Sequence, residues 1–253
     1  MDIGLCTIAF RDRPIDEALH IATRCGFDGV EVWGQAGHLP PSSDPAPAER
    51  VRDLADERGL RIIAYGSYLR LLSDEFAAEV QPVLATTVAL GTRLLRVWSG
   101  GPPSAEADDQ VVVRAAGQLK DLCSRAADVG VTVAFENHDN GLSDSADMIL
   151  RLIDRTGADN LKTYYQPSWR SDADDFYESL QSALPHLVNV HAQNFRGEYK
   201  QRTPLADGDV DYVRIVEILK RGGYDGPIEV EFVDGDDPVA WARNDQACLR
   251  SLI

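Results

Sequence analysis

The sequence predicts an α/β fold, a single (β/α)8 barrel occupying residues 1–253. Three observations carry this. Short apolar runs alternate with amphipathic helical stretches along the whole chain. The repeat is about 30 residues, the length of one strand plus its crossover helix. A glycine punctuates most units, placed where a helix ends and the next apolar run begins.

The elements follow in order. Strands are expected near residues 2–9, 27–33, 60–66, 93–98, 131–136, 161–166, 187–191 and 227–232. Between them lie helical patterns such as "PIDEALHIATRC" and "DVDYVRIVEILKR", apolar at i, i+3 and i+4. Pro14 suits the first turn of its helix and Asp209 an N-cap. Gly26, Gly59, Gly91, Gly130, Gly157 and Gly222 read as helix stops, because glycine enters the left-handed conformation without a Cβ clash. Eight such units point to a closed parallel barrel. A doubly wound open sheet would favour a GxGxxG turn after the first strand, and "AFRDRP" is not one.

Composition is that of a soluble globular chain, with 44% hydrophobic and 26% charged residues. No run approaches the roughly 20 apolar residues that span a bilayer. The start "MDIGLCTIAF" has no basic n-region and no small-residue cleavage site, so no signal peptide is expected. Cys6, Cys25, Cys123 and Cys248 are widely spaced and read as reduced thiols of a cytoplasmic protein. The formal charge of −16 makes nucleic acid and anionic membrane surfaces poor partners.

Side chains alternate across a strand, so parity separates lumen from helix-facing exterior. In the fifth strand Val131, Val133 and Phe135 suit the helix layer, which turns Thr132, Ala134 and Glu136 inward, with His138 two places on. The same logic turns Lys162, Tyr164 and Gln166 inward in the sixth strand, Asn189 and His191 in the seventh, and Glu229 and Glu231 in the eighth. Glu136, Gln166, His191 and Glu231 therefore gather at the C-terminal end of the barrel, where barrel enzymes keep their chemistry. Two carboxylates, an imidazole and an amide oxygen make a shell for a divalent cation with open water positions, manganese first, with magnesium, cobalt or zinc as alternatives. The deeper inward residues Glu31, Arg96, Lys162 and Glu229 are expected to form a buried ion-pair layer, since buried charges persist when paired. Trp33, Trp98 and Trp169 fall just beyond the second, fourth and sixth strands. They offer apolar faces and N–H donors to a sugar ring or aromatic group, or else cap the barrel by packing on one another.

These residues resemble the xylose isomerase-like TIM barrels, the sugar phosphate isomerase/epimerase family, over nearly the whole chain. The likeness rests on "GFDGVEVW", "ENH", "VNVHAQNF" and, most specifically, "PLADGDVDYVRIVEILKRGGYDGPIEVEF". The resemblance implies a metal held by Glu136, Gln166, His191 and Glu231. Two departures stand out: the family's strand-six Asp is Gln166, and the His that ketose 3-epimerases carry three residues later is Trp169. Endonuclease IV shares the fold but binds several zinc ions through many histidines, and this chain has five histidines.

The implied chemistry is proton transfer next to the carbonyl of a sugar, through an enediolate, with Glu136 and Glu231 as base and acid. His138 orients Glu136 or bonds a sugar hydroxyl. Arg196 and Lys200 close over the ligand or remain solvated loop charges. Loss of water or of a glycosidic substituent from the same site is the lyase alternative. A non-catalytic barrel that binds sugar or pairs with another subunit is a third, and a homo-oligomer stays open.

Overall fold

The computed structural model describes residues 1–139, 141–167, 173–197 and 201–253. Trp169 and Lys200 lie outside the described residues. Eight parallel strands close into a barrel: β1 (Ile3–Cys6), β2 (Gly29–Trp33), β3 (Arg61–Arg70), β4 (Leu94–Trp98), β5 (Thr132–Glu136), β6 (Leu161–Tyr165), β7 (Leu187–Ala192) and β10 (Ile228–Val230). The last pairs with the first, Ile3 opposite Ile228. A short antiparallel hairpin, β8 (Asn194–Arg196) and β9 (Gln201–Thr203), follows β7 and is not anticipated by the sequence pattern.

Around the barrel run α1 (Ile15–Cys25), α2 (Ala46–Asp56), α3 (Phe76–Ala89), α4 (Asp109–Ala127), α5 (Ala146–Thr156), α6 (Ala173–Ala183), α7 (Tyr212–Arg221) and α8 (Pro238–Leu252). Their apolar stripes pack on the outward strand residues, so Val133, Phe135, Val190, Ile228 and Val230 are fully buried between sheet and helices. No described helix is long and apolar enough to cross a membrane.

Three local expectations are corrected. The α7 N-cap is Asp211, whose carboxylate accepts from the Val213 and Arg214 amides, while Asp209 accepts from the Gly197 amide and ties the hairpin turn instead. The left-handed glycine after α7 is Gly223, not Gly222, which stays right-handed. Pro14 sits at the N-cap of α1, one residue ahead of the first turn. At the strands, β1 ends at Cys6 and the chain turns into a 3-10 helix over Thr7–Phe10, while β3 runs on to Arg70, pairing with Trp98.

Candidate active site

The hydrogen-bond ladders place Glu136 opposite Tyr164, Tyr164 opposite Asn189, and His191 opposite Glu229. Gln166 and His191 therefore sit two positions further along their strands than the ladder partners of Glu136, and Glu231 two further again. That climb is what strand tilt demands: with eight strands and a shear of about 8, a ring of constant height advances about one residue per strand. Residues displaced along the ladder thus meet at one level of the lumen. Glu231 lies just past β10, yet its amide still donates to the Ala192 carbonyl at 3.1 Å, which fixes its inward direction.

His191 is the hub. Its Nδ1 lies 2.6 Å from Glu136 Oε1 and 3.6 Å from Glu231 Oε1; its Nε2 lies 3.3 Å from Glu31 Oε2 and 3.3 Å from Cys6 Sγ. Arg96 bridges the two acids on the other side, with Nε 3.1 Å from Glu31 Oε1 and Nη1 3.1 Å from Glu136 Oε2. Gly66 makes room for this bridge, because a Cβ there would collide with Glu31 Oε1 and press on Arg96. The ion-pair layer is thus Glu31, Arg96, Glu136, His191 and Glu229, and Lys162 makes no ion pair among the described residues.

Burial alone would raise the Glu136 pKa, but His191 and Arg96 hold it down at about 2. Glu231 is as deeply buried, and burial, with the Glu136 charge beside it, lifts it to about 7 against the pull of His191 and Arg96. Glu229, desolvated and facing Glu31, is lifted to about 8. Burial disfavours an imidazolium at His191, yet the surrounding acids Glu31, Glu136 and Glu231 raise its pKa well above the ordinary value. One carboxylate is locked as an anion and the other is poised near neutrality.

Above this cluster opens a cavity of about 140 Å³ at the C-terminal mouth. Of the two glutamates singled out in the sequence, Glu231 lines it and Glu136 does not. His138 and Trp98 form part of the wall with ring centroids 4.6 Å apart, and Trp98 continues a tilted stack with Tyr68. Trp33 stands outside the wall, its indole N–H donating to the Tyr68 hydroxyl at 3.0 Å. Arg196 also stands outside, exposed and bonded to the Asp207 carbonyl. Among the described residues, four lining residues carry a buried polar atom without a hydrogen-bond partner: Trp98 Nε1, Gln193 Oε1, Arg202 Nε and Glu231 Oε2. Buried polar atoms are ordinarily bonded, so these are the groups open to water or a ligand.

Gln166 lines the cavity through an amide that is already engaged. Its Oε1 accepts from Gln193 Nε2 at 2.6 Å and its Nε2 donates to the Asn137 carbonyl at 3.0 Å. Gln193 is set in turn by Tyr212, whose hydroxyl accepts from the Gln193 amide and donates to its carbonyl, each at 2.9 Å. Glu136, His191 and Glu231 each offer a ligand atom within 4.8 Å of the others. Adjacent ligands on an octahedral ion with bonds of roughly 2.1 Å lie about 3 Å apart, and the 2.6 and 3.6 Å contacts from His191 Nδ1 bracket that. The Glu31 acceptor behind His191 Nε2 completes a donor set that fits a divalent cation, and Glu231 Oε2 is left over on the cavity side.

Parity in the sequence had turned Arg96 inward but left it in a deeper layer; it reaches both Glu136 and the cavity wall. Asn137, Gln193 and Arg202 were not singled out. The first two are neutral amides next to conspicuous neighbours, and the third sits on a hairpin too short to show a pattern.

Comparison with known proteins agrees with this architecture. A family model described as the xylose isomerase-like TIM barrel matches residues 19–252. The 3-dehydroshikimate dehydratase of Bacillus anthracis is 24% identical over 245 residues, covering 87% of each chain. L-ribulose-5-phosphate 3-epimerase of Shigella flexneri serotype 5b is 26% identical over 242 residues, covering 88% of this chain and 84% of the relative. The crystal structure of the probable 3-DHS dehydratase AsbF from Bacillus anthracis superposes with a TM-score of 0.82 at 22% identity, covering 99% of both chains.

Proposed function

The chain belongs to the xylose isomerase-like TIM barrel family, and from that premise we propose that it is a divalent-metal-dependent enzyme that moves a proton beside the carbonyl of a small polyhydroxylated ketone. The observation that carries this is Glu231: it faces the cavity, and among the described residues its Oε2 is buried without a partner. A general base needs a free lone pair within reach of the substrate proton.

Glu136, His191 and Glu231 are the residues that would hold the cation, with Glu231 contributing the Oε1 that lies toward His191. The Gln166 oxygen joins them only by releasing Gln193. Lewis-acid polarisation of the carbonyl is the chemistry such a cation supplies when bound. Glu231 Oε2 takes the proton from the carbon next to the carbonyl, and the electron pair of the broken C–H bond passes to the carbonyl oxygen. Arg96 keeps Glu136 ionised, so that its charge stays constant through the cycle. Trp98 and His138 present ring faces and a ring nitrogen to the body of the substrate.

Return of the proton from Glu231 to the former carbonyl carbon, with the neighbouring hydroxyl proton passing to the enediolate oxygen, gives isomerisation. Epimerisation needs carboxyl groups on two faces of one carbon, and of Glu136 and Glu231 only the latter reaches the cavity. The same geometry favours a second reading, dehydration, in which the electron pair instead expels a β-hydroxyl that takes the proton from Glu231 and leaves as water. The 24% identity to a 3-dehydroshikimate dehydratase supports it. Incubation with L-ribulose 5-phosphate and with 3-dehydroshikimate in D2O with Mn2+ separates the outcomes by NMR. Deuterium entering beside the carbonyl with water retained supports isomerisation or epimerisation, and loss of water supports dehydration. Glu231→Gln should slow either by about 10²–10⁴-fold. A variant as fast as wild type sinks Glu231 as the base.

A further inference from the structure

Among the described residues, Arg202 is the cation of the cavity that the cluster below leaves unspent. Arg96, the other arginine in the wall, is committed to Glu31 and Glu136 at 3.1 Å each. Among the described residues Arg202 has no such commitment: the acid it pairs with, Asp234, is 3.7 Å from Nη1 and half exposed, and its Nε is buried without a partner. Charge-assisted N–H···O bonds run about 2.7–2.9 Å, so the Asp234 contact is a loose one.

The hairpin aims this guanidinium. Arg202 is paired across β8 and β9 with Phe195, so both side chains leave the same face, and both line the cavity. The guanidinium carbon lies over the Phe232 ring, 3.9 Å from its centroid, a cation–π contact that holds it in place. Phe232 follows Glu231 in the chain, so the fork and the base are set by adjacent residues. A planar fork with a buried unbonded N–H, held by that contact and open to a cavity, is preorganised for an oxyanion.

We propose that Arg202 holds an anionic group of the substrate, a carboxylate or a phosphate ester, so that the enzyme acts on an acidic polyhydroxy ketone rather than a neutral sugar. The assignment rests on the proton-transfer reading for the orientation of the ketone end toward Glu231. A chain of net charge −16 repels anionic ligands at long range. The selection is therefore made locally, by this one residue.

Matched probe pairs test it by calorimetry on the Mn2+-loaded protein in phosphate-free buffer. D-fructose 6-phosphate against D-fructose reads a phosphate; shikimate against its methyl ester reads a carboxylate. Wild type should bind the charged member of one pair at least about tenfold more tightly. Arg202→Gln should erase that ratio and Arg202→Lys should keep part of it. Because the readout is a ratio within one protein, a general loss of fold weakens both members and does not mimic the result. No charged preference in either pair, or a preference that survives Arg202→Gln, overturns the proposal. A wild type that shows the Arg202-dependent preference but neither deuterium exchange nor elimination refutes the proton-transfer reading and leaves the anion site standing.

Discussion

Replacing Arg96 with methionine removes the cation from between Glu31 and Glu136 while keeping much of its apolar volume. The guanidinium is 4% exposed and both carboxylates are 3% exposed, so neither acid can recover its lost partner from water. Breaking a buried pair from one side costs about 3–5 kcal/mol, because it strands a desolvated charge. His191 stays beside both acids and places the expected loss near the lower end. For a chain of this size each kcal/mol moves the melting temperature roughly 2–4 °C, giving a fall of about 10 °C. Urea unfolding at pH 7 reads the loss, and the double variant with Glu31→Gln should lose less than the sum of the two singles by at least about 1 kcal/mol. The acid side gives an independent check. Glu136 is held at about 2 against an ordinary 4.5, so its contribution is complete above 4.5 and disappears as pH falls through 2. Without Arg96 that loss should be smaller and be complete at a higher pH. A destabilisation below about 1 kcal/mol, with additive singles, would show that Arg96 is not holding the acids.

Further outcomes follow from the same geometry. Gln166→Asp raises the anionic charge of the ligand set from the −2 of Glu136 and Glu231 to −3, and Mn2+ affinity by calorimetry should tighten about tenfold. Unchanged affinity would place position 166 outside the coordination sphere. Asp245, buried and accepting from the Leu205 amide and the Trp241 indole, has its pKa pushed up to about 7 by burial. Its favourable contribution is complete below 3.8 and lost as pH rises through 7, so wild type should lose melting temperature between pH 5 and 8. Asp245→Asn should flatten that slope, and a parallel decline in both proteins would assign the effect elsewhere.

The strand–helix alternation, the closure of the barrel and the inward direction of Glu136, Gln166, His191 and Glu231 are all written locally, in apolar periods of two and 3.6 residues. Parity needs no knowledge of neighbours. The helix stops at Gly26, Gly59, Gly91, Gly130 and Gly157 were legible for the same reason, since a left-handed residue is a property of one position. What the sequence did not contain was partnership. Arg96 meets Glu31 across 65 residues and Glu136 across 40, and Gln193 meets Gln166 across 27, distances that only a closed and tilted barrel reduces to contact. Tilt also decided that Glu231 and not Glu136 reaches the cavity, because a constant height in the lumen falls at different places along different strands. Arg202 depended on a hairpin whose three-residue strands are too short to alternate visibly. The sequence determined which side chains enter the lumen. The tertiary structure decided which of their charges are neutralised there and which remain free to act, because that depends on distances between strands rather than on direction along one.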